Sequence, residues 1–312
     1  MFEIQKPNVA KEKISYFCDY VELLCLLQNS DILSISDIIV RLDLKIDLHK
    51  KNEIGDLNSE INDENEEYIY NLFEILKKRA EIFNDIYPFI VTSNYIKMKD
   101  VSLSNKEKSY IFLLLCSNLE SFKQYQSILT DDFEKFAYMS LKNFFSDKII
   151  IKQFGKNKTS SDYIGKLYEK LEKLSQDLNL NIKIPSRKLS KYNSGDGGID
   201  IIAWYRYEEI NNDYTMIYLF QCASGKNWLK KQDETDKFSN LIDFSQNYLI
   251  KGMIIPFDNR DIDRDFIEEK DITSKLILDR IRLLEYFNYD EIINFESINI
   301  VNEIIKYEED IV

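Results

Sequence analysis

Through the first half of the chain, apolar residues recur at helical spacing. Between Ile14 and Leu27, the residues Phe17, Val21, Leu24 and Cys25 fall on successive turns, the roughly 3.6-residue period of a half-buried helix. Ser36-Asp37 offers a helix start ahead of Ile38, Ile39 and Leu42. Lys50 to Glu67 is polar and acidic and breaks the pattern, reading as a long loop or the frayed start of the next helix. That helix runs from about Glu66 to Ile86, with Tyr70, Phe73, Leu76, Ala80 and Phe83 on one stripe. Another spans Ser104 to Phe122 and buries Ile111, Leu114, Leu115 and Leu119. Thr130, Asp131 and Asp132 read as the cap and acidic first turn of a helix to Phe145.

Past Phe145 the pattern becomes mixed. Lys148 to Phe154 is a short strand or the end of the preceding helix, and Asp162 to Leu178 is an amphipathic helix striped by Ile164, Leu167, Leu171, Leu174 and Leu178. Glycines at 195, 197 and 198 then mark a turn, since glycine takes positive φ without steric cost. Ile199 to Tyr205 is an extended run with Asp200 near its start. Glu208 to Asp213 is turn-like, and Tyr214 to Phe220 delivers Gln221 at its far end. The shape is a β-hairpin. Asp236 to Tyr248 reads as a helix, and Tyr248 to Phe257 as a buried strand ended by Pro256. Lys275 to Phe287 is a strand or helix, and an amphipathic segment follows. The fold class is α/β: a helical region over residues 1–146, then a mixed-sheet core flanked by helices over 147–312.

Composition narrows the chemistry. No apolar run approaches the roughly 20 residues of a membrane span, and the N-terminus lacks the pattern of a signal peptide, so a cytoplasmic protein is expected. Cys18, Cys25, Cys116 and Cys222 are scattered without metal-ligand spacing and read as reduced thiols. A single histidine, His49, argues against zinc hydrolases and Ser-His-Asp triads. The net charge of −13 conceals a basic segment: Lys148 to Lys191 holds eleven Lys/Arg against four Asp/Glu. Within it Lys183, Arg187, Lys188 and Lys191 lie just before the glycine turn, where a phosphate-tracking face would need them. The plainer reading is a solvated lysine-rich surface.

An acid and an amide brought together on neighbouring strands, ~5 Å apart, suit a hard divalent cation, because magnesium takes oxygen donors and few protein carboxylates. Such an ion polarises a phosphate and lowers the pKa of the attacking water. The combination of a helix carrying an acid, the Gly195-Asp196-Gly197-Gly198-x-Asp200 turn, and a strand ending in Gln221 resembles the PD-(D/E)xK restriction-endonuclease-like superfamily. It is closest to Mrr-like variants, in which glutamine replaces the second acid. The resemblance covers roughly Asp162 to Phe257 and implies a restriction-endonuclease-like core. It further implies a Mg²⁺-dependent nuclease, with Mn²⁺ as a substitute, acting on DNA as an effector of a prokaryotic restriction or antiphage defence system. By position, Asp200 is the main metal ligand, Gln221 stands where the second acid stands, and Glu169 is the helix acid. The family's lysine lies two residues beyond the second acid, where this chain has Ala223. Lys226 is the expected substitute, with Lys188 and Lys230 behind it. A protein partner such as an ATPase, or self-association, is expected to control cutting. The alternative is a catalytically inactive scaffold or nucleic-acid-binding subunit, in which Asp200 caps the turn and Gln221 is a core amide.

Overall fold

The computed structural model describes residues 13–27, 32–42, 57–99, 102–155, 161–185, 188–189, 195, 197–207, 214–267 and 269–306, with backbone alone at 42 and 57–66. His49, Arg187, Lys191 and Asp196 lie outside them. The chain forms two compact units: residues 1–129 with 257–269 and 289–312, and residues 130–256 with 270–288. The expected division at 146 therefore falls just after a helix belonging mostly to the second unit.

In the first unit are α1 (Ile14–Leu27), β1 (Leu33–Ser34), α2 (Ile35–Leu42), α3 (Leu57–Phe83), β2 (Phe89–Val91), β3 (Tyr95–Met98) and α4 (Asn105–Ser117). Helical periodicity identified the four helices. The three-stranded antiparallel sheet, ordered β1-β3-β2, was not expected. Its strands run two to four residues, too short for an alternating pattern to register. Part of the stretch read as a loop or frayed start, from Leu57 on, is helical. Ser104 caps α4 in a reciprocal box with Glu107. Inside the unit, fully buried Arg79 donates to Asp19 (2.7 Å), Glu22 (2.9 Å) and Asp258 (3.0 Å). Tyr87 and Tyr110 also donate to Glu22. Burial opposes the guanidinium's charge, but Glu22 and Asp19 outweigh it and raise its pKa well above the ordinary value.

The second unit is built on α5 (Gln126–Phe144), β4 (Ile149–Gln153), α6 (Leu167–Leu178), β5 (Ile201–Tyr205), β6 (Met216–Cys222), α7 (Trp228–Ser239), β7 (Tyr248–Ile254), β8 (Leu276–Leu278) and α8 (Arg280–Tyr286). Strands β4 to β8 form one sheet in sequence order, antiparallel from β4 to β6 and parallel from β6 to β8. One sheet face presents Ile202, Trp204, Ile217 and Leu219 to Leu167, Leu171, Leu174 and Leu178 of α6 and to Phe238 of α7. On the other, Phe145 packs on Tyr218 and Phe220 just past α5, while Phe136 stacks on Phe287.

Several boundaries differ from expectation. Helix α5 starts at Gln126, so Thr130 is inside it rather than its cap. Ile164 is exposed, because α6 begins only at Leu167. The helix expected from Asp236 lies earlier, at Trp228–Ser239. Lys275 to Phe287 is both strand and helix, divided at Asp279, whose carboxylate caps α8. A last helix, α9 (Ile298–Ile305), belongs to the first unit. No helix among the described residues is long and apolar enough to cross a membrane.

Candidate active site

Asp200 stands one residue before β5, where the glycine turn hands the chain to the sheet. Gly197 and Gly198 adopt φ of +68° and +96°, and a Cβ on Gly198 would lie 2.7 Å from the Glu234 carbonyl oxygen of α7. Only glycine permits both the conformation and the approach. Asp200 is then tied on three sides. Its N–H donates to Phe220 O (2.8 Å), its carbonyl accepts from Phe154 N (2.7 Å) and Gly155 N (3.1 Å), and its Oδ2 accepts from Cys222 N (2.7 Å). Main chain and side chain thus bond the residues on either side of Gln221.

Gln221 is 5 % exposed and pairs in register with Met253 of β7. Its Nε2 makes one long contact, 3.5 Å to Cys222 O. Its Oε1 is buried without a hydrogen-bond partner among the described residues. A buried amide oxygen left in this state costs about 1–3 kcal/mol.

Sequence reasoning missed a second acid. A Cβ built on Gly155 would lie 3.2 Å from Glu134 Oε2 and 3.5 Å from Asp200 Oδ1. The two carboxylates therefore converge on the bare face of one glycine, Glu134 arriving from α5 and Asp200 from the start of β5. Local pattern offered no signal for this, since Glu134 looks like part of the acidic run Asp131, Asp132, Glu134. Lys170 was also missed. It is 0 % exposed, its Nζ donates to Gly155 O (2.6 Å) and Phe154 O (3.4 Å), and it lies 5.8 Å from the Phe154 ring centre. Its signal was available: Lys170 falls on the buried stripe between Leu167 and Leu171.

Glu169 and Lys183 engage other partners. Glu169 is exposed and closes its own helix by accepting from Lys166 N (2.7 Å). Lys226 lies partly exposed in the turn between β6 and α7, while Ala223 is fully buried. Lys183 pairs with Asp243 at 3.4 Å on the surface, and Lys188 and Lys230 are exposed. All four cysteines are buried, and none forms a disulfide.

Among the described residues, no three His, Cys, Asp or Glu side chains form a ready ligand cluster. Asp200 and Glu134 beside Gly155 are two carboxylates, and Gln221 on the neighbouring strand carries a neutral amide oxygen, all hard oxygens. That donor set fits magnesium or manganese, which complete their shells with water and phosphate. Compared with protein-family models, curated proteins and solved structures, the chain finds no match.

Proposed function

We propose that this chain is a metal-dependent nuclease that hydrolyses phosphodiester bonds, with DNA as its substrate, acting as an effector of a prokaryotic restriction or antiphage defence system. The reading rests on one observation: the buried, unpartnered Oε1 of Gln221, on the strand whose backbone holds the Asp200 carboxylate. Sheet topology agrees with it, because a mixed sheet flanked by helices is what the resemblance to the PD-(D/E)xK superfamily implies. The family, the DNA substrate and the defence role rest on that resemblance.

A divalent ion bound here would polarise the phosphate and lower the pKa of an attacking water. Asp200 and Glu134 would hold it, and Gln221 would contribute a neutral oxygen. Cys222 N engages Asp200 Oδ2, leaving Oδ1 on the Gly155 side. A side chain on Gly155 would crowd both carboxylates, which glycine avoids. The bonds to Phe154, Gly155, Phe220 and Cys222 fix Asp200 before any ligand arrives, so little reorganisation is needed on binding.

The test is cleavage of supercoiled plasmid, single-stranded DNA and RNA with Mg²⁺ or Mn²⁺, comparing wild type with Asp200→Ala. Metal-dependent cutting that disappears in Asp200→Ala is expected. Wild type that cuts none of these substrates and shows no divalent binding by calorimetry would end the nuclease reading.

A further inference from the structure

We infer that Lys170 is the standing cation of this site, an ammonium placed by α6 on Gly155, the same residue on which the Glu134 and Asp200 carboxylates converge. The inference deepens the proposed function and rests on it for its catalytic part. Lysine is almost never fully buried without compensation, and removing an ammonium from water costs several kcal/mol. The Phe154 and Gly155 carbonyls supply hydrogen bonds at 3.4 and 2.6 Å but no charge. Opposite charge lies beside the same residue, where a Cβ built on Gly155 would be 3.2 Å from Glu134 Oε2 and 3.5 Å from Asp200 Oδ1.

The same arrangement answers the problem of Ala223. That aliphatic side chain is buried and offers no charge, whereas α6, inserted between β4 and β5, brings a lysine in from another part of the chain. Charge counting then selects a substrate class. Among the described residues in these contacts, two carboxylates and one ammonium sum to −1, and a divalent ion would bring the sum to +1. A phosphodiester, with one negative charge, closes the balance, while a phosphomonoester dianion leaves it negative. Lys170 is accordingly a positioning residue that sets the charge of the site and braces Gly155.

The test begins with metal-free protein. Urea midpoints are measured for Lys170→Met in the wild-type background and in Glu134→Gln/Asp200→Asn. At least half of the stability lost in the wild-type background should be absent in the doubly neutralised one, since the charge partner is already gone. An equal loss in both would make Lys170 a structural peg and overturn the inference. Should Lys170→Met fail to fold, Lys170→Gln keeps a donor for Gly155 without the charge and carries the same comparison. Mn²⁺ titration then bears on the site itself. Lys170→Met should bind Mn²⁺ at least threefold more tightly, because a repelling charge is removed, yet cleave at least a hundredfold more slowly. Unchanged or weaker Mn²⁺ binding by Lys170→Met overturns the inference. If wild type neither binds Mn²⁺ nor cuts, the nuclease reading fails, and the metal-free comparison still decides the role of Lys170.

Discussion

Gln221 keeps a buried side-chain oxygen without a hydrogen-bond partner among the described residues. Replacing it with leucine removes a buried oxygen that has no partner. The variant should match or exceed wild-type stability by up to about 1 kcal/mol, relieving part of a penalty of about 1–3 kcal/mol, while losing metal-dependent cleavage. Chemical denaturation and the plasmid assay measure the two halves of that statement, and a clear loss of stability would return Gln221 to the core. Gly155 tests the opposite face of the site. Its alanine variant introduces a methyl within 3.2 Å of Glu134 Oε2 and 3.5 Å of Asp200 Oδ1, without forcing a positive φ. Folding should survive, and divalent affinity measured by calorimetry should fall at least tenfold as the carboxylates are pushed apart.

At the scale of elements, the turn before β5 is the most exacting. Alanine at Gly198 would need φ near +96° and would place a methyl 2.7 Å from the backbone of α7. We expect a loss of about 2–4 kcal/mol in urea unfolding, from strain and from displacing a helix. This hairpin was the most legible part of the chain. Its strands are largely apolar runs of five and seven residues, and a glycine-marked turn precedes the first. Asp200 and Gln221 were readable for a related reason: each is a polar side chain at the end of a run that is otherwise buried. Glu134 was not readable, because the contact that gives it meaning joins residues far apart in sequence. The sequence directs attention to Lys226, near Gln221, while the buried stripe of α6 also holds Lys170, a lysine without access to water. Helix ends were misplaced where a good capping residue, such as Thr130, sits inside a longer helix. Its side chain was weighed, and the packing that extends the helix was not.

At the scale of the whole molecule, the first unit carries a buried ionic network around Arg79. Arg79→Met would strand the Asp19, Glu22 and Asp258 carboxylates, and unfolding should become easier by about 3–5 kcal/mol, read as a lowered urea midpoint. Alkali attacks the same unit. Burial pushes the Cys25 thiol from 9.0 up to about 12, and burial together with the Glu22 charge raises Tyr87. A raised folded pKa means that stability is complete below the unfolded value and is lost as pH climbs through the folded one. Thermal midpoints should therefore decline between pH 9 and 12, and Cys25→Ala should flatten part of that slope. On the acid side, burial would raise Glu107, but bonds from Lys99 and Ser104 outweigh it and lower its pKa. Its contribution holds above the ordinary carboxylate range and disappears as pH falls through the lowered value, a loss that Glu107→Gln should lack.

The path of the chain between β7 and β8 has a consequence in time. After Pro256 the polypeptide enters the first unit, where Asp258 meets Arg79 and Phe257 packs on Tyr16, before it returns to the sheet. Phe295, against Phe112, belongs to the same unit. During synthesis α1 and α3 emerge early, but their buried partners appear only more than a hundred residues later. The unit begun first is therefore finished last, while the sheet holding Asp200 and Gln221 is complete once α8 has left the ribosome. Nascent chains arrested with residues up to 288 exposed should resist proteolysis in β4 to β8 and be cut readily in α1. Protection of α1 should follow only when 289–306 have emerged.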